Sequence, residues 1–293
     1  MNSHCRPEAA CFQFPLKAAV AQNIVRTDNV VHQTCIFESL YCKPSFQMTE
    51  WYEILVAFSA SSISTVIRPP SSEYTRLGIS SMYQSHPCAE LNMLFRHRPY
   101  QGVKPSEATF LFIGLDANYA PDLESSPAFR AVLEYHQDGV AFWRKHGVHH
   151  PFLLPDYRGD GRRYHRTFAR IGFTPAHAHL VSFAELLHVP TVGRNELSSQ
   201  DFDLPHLHNL NDAIIYGKAK HIFVSAGVAR LMRTSKVFPW LPKEPSSAGP
   251  LRVLYSEPDR CVYSHLHFSN YGKFQQQLGD EARAMAALLP ASA

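Results

Sequence analysis

The stretch Thr109-Phe-Leu-Phe-Ile113, closed by Gly114, constrains this chain more than any other part of it. A strand of a parallel sheet is covered on both faces, so it reads as a continuous apolar run rather than an alternating one. Downstream of Gly114 the hydrophobic pattern keeps switching period. Helices are expected over 126–135, after Gly139 (with Phe142 and Trp143), over the Arg-rich 157–170, and over 207–217, 228–234 and 273–289. Strands are expected over 178–183, 221–225, 252–255 and 262–266. Strands alternating with helices mean an α/β domain with a mostly parallel sheet. In such sheets ligands bind beyond the carboxyl ends of the strands.

The first hundred residues read differently. They hold Ser-rich runs and five of the six cysteines, namely Cys5, Cys11, Cys35, Cys42 and Cys88, with only Cys261 later. The expected organisation is an N-terminal extension over 1–104, partly ordered at most, and one α/β domain over 105–293. Residues 51–58 read as a short buried element. An upstream extension of the reading frame, with the functional product starting near Met82 or Met93, is one explanation of the contrast. No cysteine pair has the spacing of a zinc site or a redox dithiol, which points to reduced thiols and a cytoplasmic protein. There is no apolar run long enough to span a membrane and no secretory signal layout. The apolar fraction is 45% and the net charge +3, enough for a real core and a weak pull toward polyanions. The 17 histidines add positive charge if the pH falls below about 6.5.

Two strand ends carry chemistry. The first delivers Gly114-Leu-Asp-Ala-Asn-Tyr119 into a loop. A carboxylate there stands over the crevice, and glycine lets a ligand approach the backbone. The last strand runs into Ser264-His-Leu-His-Phe-Ser269 and then Asn270-Tyr-Gly272. Taken singly, Asp116 also reads as a helix N-cap and His267 as a structural histidine.

Together these segments resemble the uracil-DNA glycosylase superfamily. Its members carry Gly-Gln-Asp-Pro-Tyr after the first core strand and His-Pro-Ser near the C-terminus. Here Gly114-Leu115-Asp116 and His267-Phe268-Ser269 stand in those places. Tyr135-His-Gln-Asp-Gly-Val-Ala-Phe-Trp143 resembles a segment of the mismatch-specific members, as does the stretch from Leu180 through Pro190-Thr191. The resemblance covers the last two-thirds of the chain. It implies a three-layer α/β/α sandwich around a mostly parallel, four-stranded sheet. It also implies a DNA-base N-glycosylase of base-excision repair, acting as a monomer without a cofactor on DNA that holds uracil or another deaminated base.

By that resemblance Asp116 steadies the sugar cation and orients water, and His267 steadies the departing base. Ser269 holds a phosphate, and Tyr271 is the wedge that fills the vacated stack. Tyr135 or Phe129 stacks on the extruded base. Gly114, Leu115, Asn118 and Tyr119 form the substrate loop. The Tyr that helps uracil enzymes exclude thymine is displaced by one place to Tyr119. The Asn that reads the base edge has Ser182 as its nearest match, and one hydroxyl cannot read that edge bidentately. Arg162, Arg163 and Arg166 are either phosphate contacts or a solvated basic face.

Two other readings stay open. One is a non-catalytic module that binds nucleic acid or a free base. The other is a metal-dependent hydrolase using the pairs His177/His179, His206/His208 and His265/His267, although no His-Glu-x-x-His and no cysteine partner accompanies them. Neither a dinucleotide nor a triphosphate glycine loop is present, and no Gly-x-Ser-x-Gly elbow.

Overall fold

Side chains on a strand point alternately to its two faces, so each apolar run of this chain serves two cores at once. A computed structural model describes residues 83–193 and 197–290. Among them the strands are β1 (Gln84–Ser85), β2 (Tyr100–Gly102), β3 (Phe110–Gly114), β4 (Asn118–Tyr119), β5 (Val181–Glu185), β6 (Thr191–Val192), β7 (His221–Ser225), β8 (Arg252–Glu257) and β9 (Arg260–His265). The α-helices are α1 (Ala89–His97), α2 (Phe129–Gln137), α3 (Gly139–His146), α4 (Arg162–Ala169), α5 (Leu204–Tyr216), α6 (Ala226–Thr234) and α7 (Gln275–Ala286).

The main sheet runs β2-β5-β3-β7-β9-β8. Its four inner strands are mutually parallel, and β2 and β8 are antiparallel edges. The protein is therefore mixed α/β with a mostly parallel sheet. The four strands expected from the resemblance are joined by two more. Leu111, Ile113, Ile222 and Val224 pack on one side with Leu207 and Ile214 of α5 and Val228 and Met232 of α6. Phe110, Phe112, Phe183 and Phe223 pack on the other with Trp143 of α3, Phe168 of α4 and Leu278 of α7. Phe112 stacks on Phe223 at 4.6 Å between centroids. Each such ring contributes about 1.5–3 kcal/mol by leaving water.

Several expected boundaries move. The domain begins before 105, because β2 pairs with β5 and α1 buries Leu91 and Phe95. Met93 lies inside α1. The element expected over 51–58 lies outside the described residues. The strand expected over 178–183 is β5, three residues later, because Pro175–Leu180 coils into a short helical turn capped by Thr174. The Arg-rich helix starts at 162 rather than 157, since Gly161 takes a left-handed φ of 85° that ends the preceding loop. A second, three-stranded sheet, β1-β6-β4, ties the loop after β3 to the loop after β5. Among the described residues no helix is long and apolar enough to cross a membrane.

Gly102 closes β2 with φ +84°, and a Cβ there would stand 2.4 Å from the Val181 carbonyl oxygen. Both the backbone conformation and the contact oppose a side chain. Gly102→Ala is therefore expected to lower the unfolding free energy by about 1–3 kcal/mol in urea titration. An unchanged midpoint would contradict this account of the edge strand.

Candidate functional site

Beyond the carboxyl ends of β3 and β5 lies a cavity of about 390 Å³. That size suits a small-molecule or single-base ligand. Leu115 and Asp116 enter it from the end of β3, and Phe183 and Glu185 from β5. His267 and Ser269 arrive from the loop after β9, Tyr135 from α2, Tyr164 and His165 from α4, and Gln101 from the edge strand β2. His150 and Phe152 complete the wall.

Asp116 is held by the small sheet. Thr191 of β6 is fully buried and its hydroxyl donates to Asp116 Oδ2. Asn118 Nδ2 stands 3.1 Å from Thr191 Oγ1, 2.6 Å from the Gly193 carbonyl and 3.4 Å from Asp116 Oδ2. These bonds fix the carboxylate at one rotamer over the cavity. Asp116 caps none of the described helices.

Glu185 is a second carboxyl at the same end of the sheet. Parallel pairing sets Gly114 opposite Glu185. A Cβ at 114 would lie 2.0 Å from Glu185 Oε2. The glycine expected to admit a ligand thus makes room for a side chain of the protein itself. Burial, reinforced by the charge of Asp116, raises the Glu185 pKa well above the usual carboxylate range.

His267 owes its position to its neighbour. Phe268 is 1% exposed, with its ring 5.2 Å from Tyr164 and 4.6 Å from His265. Anchoring Phe268 inward leaves His267 and Ser269 at the exposed mouth of the cavity. The Ser269 backbone N–H lies 3.4 Å from His267 Nδ1, and its hydroxyl closes on the same nitrogen. An amide N–H only donates, so Nδ1 accepts and the neutral ring carries its proton on Nε2. Loss of hydration in the cleft lowers the His267 pKa, partly opposed by Asp116. The arrangement presents an N–H donor from one side of the cavity and carboxyls from another.

The remaining wall is aromatic and uncharged. His150 stacks on His165 with centroids 3.5 Å apart and planes 7° from parallel. Tyr135 meets His150 edge-on at 4.7 Å, and His149 Nε2 lies 3.2 Å from His165 Nδ1. Tyr119 is buried, its hydroxyl 2.6 Å from His136 Nε2. Desolvation lowers the pKa of His136 and His149 to about 3. It holds His150 and His165 well below the usual imidazole value.

Of the residues singled out in the sequence, Gly114, Leu115, Asp116, Asn118, Tyr119, Tyr135, His267 and Ser269 share this cavity. Phe129 does not line it and packs instead in the core beside Tyr119 and Phe152. Ser182 does not line it either. It is fully buried and, alternating with Phe183, turns to the opposite side of β5. Ser269 is a partner of His267 as well as a rim group. Arg162 reaches the Tyr157 carbonyl at 3.2 Å, a contact within the protein. Arg163 and Arg166 are exposed, and the Arg163 guanidinium sits 4.6 Å over the ring of Tyr271, itself 68% exposed.

Sequence reading missed Gln101, Glu185 and the clamp at Thr191. The signal for Glu185 was its place two residues after Phe183 on one strand face. Gln101 lay on the wrong side of the expected domain boundary. Among the described residues no group of three or more His, Cys, Asp or Glu is arranged to hold a metal ion. The His pairs serve separate local roles: His177 with Thr174, and His206 Nε2 2.8 Å from the Glu185 carbonyl oxygen.

The buried imidazoles bind no proton when folded but each takes one when unfolded below about pH 6.5. Stability is therefore lost as pH falls from about 6.5 toward 3, by up to about 1.4 kcal/mol per pH unit for each histidine. Glu185 acts in the opposite sense above its unfolded pKa, since the folded state keeps its proton longer. The unfolding free energy by urea titration is expected to drop between pH 7 and pH 5. His149→Phe, which keeps a ring against Phe168 and Phe183, should flatten that slope by about one proton, and an unaltered slope would reject this origin. Compared with protein-family models, curated proteins and solved structures, the chain matches none.

Proposed function

We propose that the chain is a DNA-base N-glycosylase, hydrolysing the bond between sugar and a deaminated base turned out of the helix into this cavity. The observation that carries the reading is the meeting of Asp116 and His267, far apart in sequence, across one cavity walled by Tyr135. Breaking an N-glycosidic bond builds positive charge on the sugar and negative charge on the leaving base. A carboxylate fixed by Thr191 suits the first, and an imidazole N–H held in one tautomer by Ser269 suits the second. The aromatic wall and the amide of Gln101 offer a face to stack on and an edge to pair with. The uracil-DNA glycosylase-like fold belongs to the same proposal. It is supported by the order of the motifs and by a parallel four-strand core that sets them at one end.

Arg163, Arg166 and Tyr271 are exposed, on the helix and loop that also supply Tyr164, His165, His267 and Ser269 to the cavity, and would meet a nucleic-acid backbone there. Arg163→Ala with Arg166→Ala is expected to weaken binding to any DNA duplex and to lower the slope of log affinity against log salt by about 1–2. Equal affinity and slope would place the DNA elsewhere.

The direct test is incubation of purified protein with duplexes and single strands holding one uracil, hypoxanthine or xanthine. Release of the base is expected from at least one, and Asp116→Asn should slow it by about 10²-fold or more. If no base is released under any condition, the enzymatic reading is wrong.

A further inference from the structure

We infer that Glu185 is the general acid of this site and that the base it serves is a deaminated purine. The inference rests on the glycosylase reading and adds a substrate class to it. The carboxyl lines the cavity and is seated where only a glycine at 114 leaves space. Among the described residues it has no hydrogen-bond partner, whereas Asp116 has the Thr191 hydroxyl. The ionisable groups around it are Asp116, Tyr119, Tyr135, Tyr164, His150, His165 and His267, and none of these described groups is a fixed cation. Burial beside Asp116 favours the protonated form of Glu185. On the neighbouring strand Gln101, in register with Phe183, is buried with its Nε2 unpartnered while lining the same cavity.

A uracil anion spreads its charge over its carbonyl oxygens, and a hydrogen bond from His267 suffices for it. A purine leaves poorly until a ring nitrogen takes a proton. A neutral carboxylic acid in the wall supplies that proton, and the Gln101 amide supplies a donor for the exocyclic carbonyl that deamination creates. In the step, Glu185 transfers its proton to a ring nitrogen of the base. The bond between N9 and C1′ breaks, with its electron pair staying on the base. Water adds to C1′ and gives its proton to Asp116. Glu185 ends ionised and Asp116 protonated, and one proton exchange through solvent restores both.

The test is single-turnover cleavage of oligonucleotides holding hypoxanthine or uracil, by wild type and by Glu185→Gln, from acid to alkaline pH. Gln keeps the size of the side chain. Wild type should prefer hypoxanthine, with a rate that falls at alkaline pH. Glu185→Gln should lose about 10²–10⁴-fold on hypoxanthine, at least about tenfold more than on uracil, and lose the alkaline fall. Uracil release without hypoxanthine release, or equal losses on both bases, overturns the assignment while leaving the glycosylase reading standing. Release of neither base, and of no xanthine from a third oligonucleotide, ends both. Infrared spectroscopy gives a readout that needs no turnover: a protonated-carboxyl band at neutral pH, absent in Glu185→Gln, supports the assignment, and a spectrum without that difference overturns it.

Discussion

Two carboxyl groups share one end of a parallel sheet, and most of the cavity is shaped by that crowding. Because β3 and β5 run side by side in the same direction, their last residues, Gly114 and Glu185, are forced to face each other. Asp116 comes two residues later in the same loop. Two negative charges at such quarters, away from water, are costly, and the cheaper state puts a proton on one of them. Burial beside Asp116 raises the pKa of Glu185. Asp116 receives the Thr191 hydroxyl. The two carboxyls thus stand in different surroundings at one end of the sheet.

The imidazoles extend the same logic. Histidines beside two carboxyls would form ion pairs in water, but here the rings lie too deep to charge. They pack as flat, weakly polar aromatic bodies, His150 on His165 and Tyr135 on His150. Keeping them neutral preserves the low dielectric that strengthens every hydrogen bond in the cavity. Arg163 and Arg166 keep their fixed positive charge outside, on the exposed surface.

The parts of the fold that sequence reading recovers and the parts it misses have the same cause. Strands β3 and β7 are buried on both faces, so their apolar runs announce them, and the residues just beyond β3 are found with it. Strand β2 is three residues, Tyr-Gln-Gly, with a polar side chain in the middle, and no local pattern separates it from a loop. It exists because β5 offers it an edge, which is a tertiary fact. The start of β5 is misplaced because Pro175-Ala-His-Ala-His-Leu180 alternates like a strand, yet proline in the first turn and the Thr174 cap coil it instead. That shift of three residues makes Ser182 look terminal and hides Glu185.

The loop after β9 is held by its middle residue, Phe268. A proline between the two polar positions stiffens the backbone by fixing φ. Phenylalanine does nothing of the kind. It acts from its far end, through a ring sealed among Tyr164, Phe168 and His265. Once that ring is buried, the flanking side chains stand at the cavity mouth, and the Ser269 hydroxyl settles on His267 Nδ1. The position of the imidazole is then tied to the aromatic core under the sheet, and Tyr164 touches both that core and His267. Packing in the core and geometry at the mouth are linked through a single side chain.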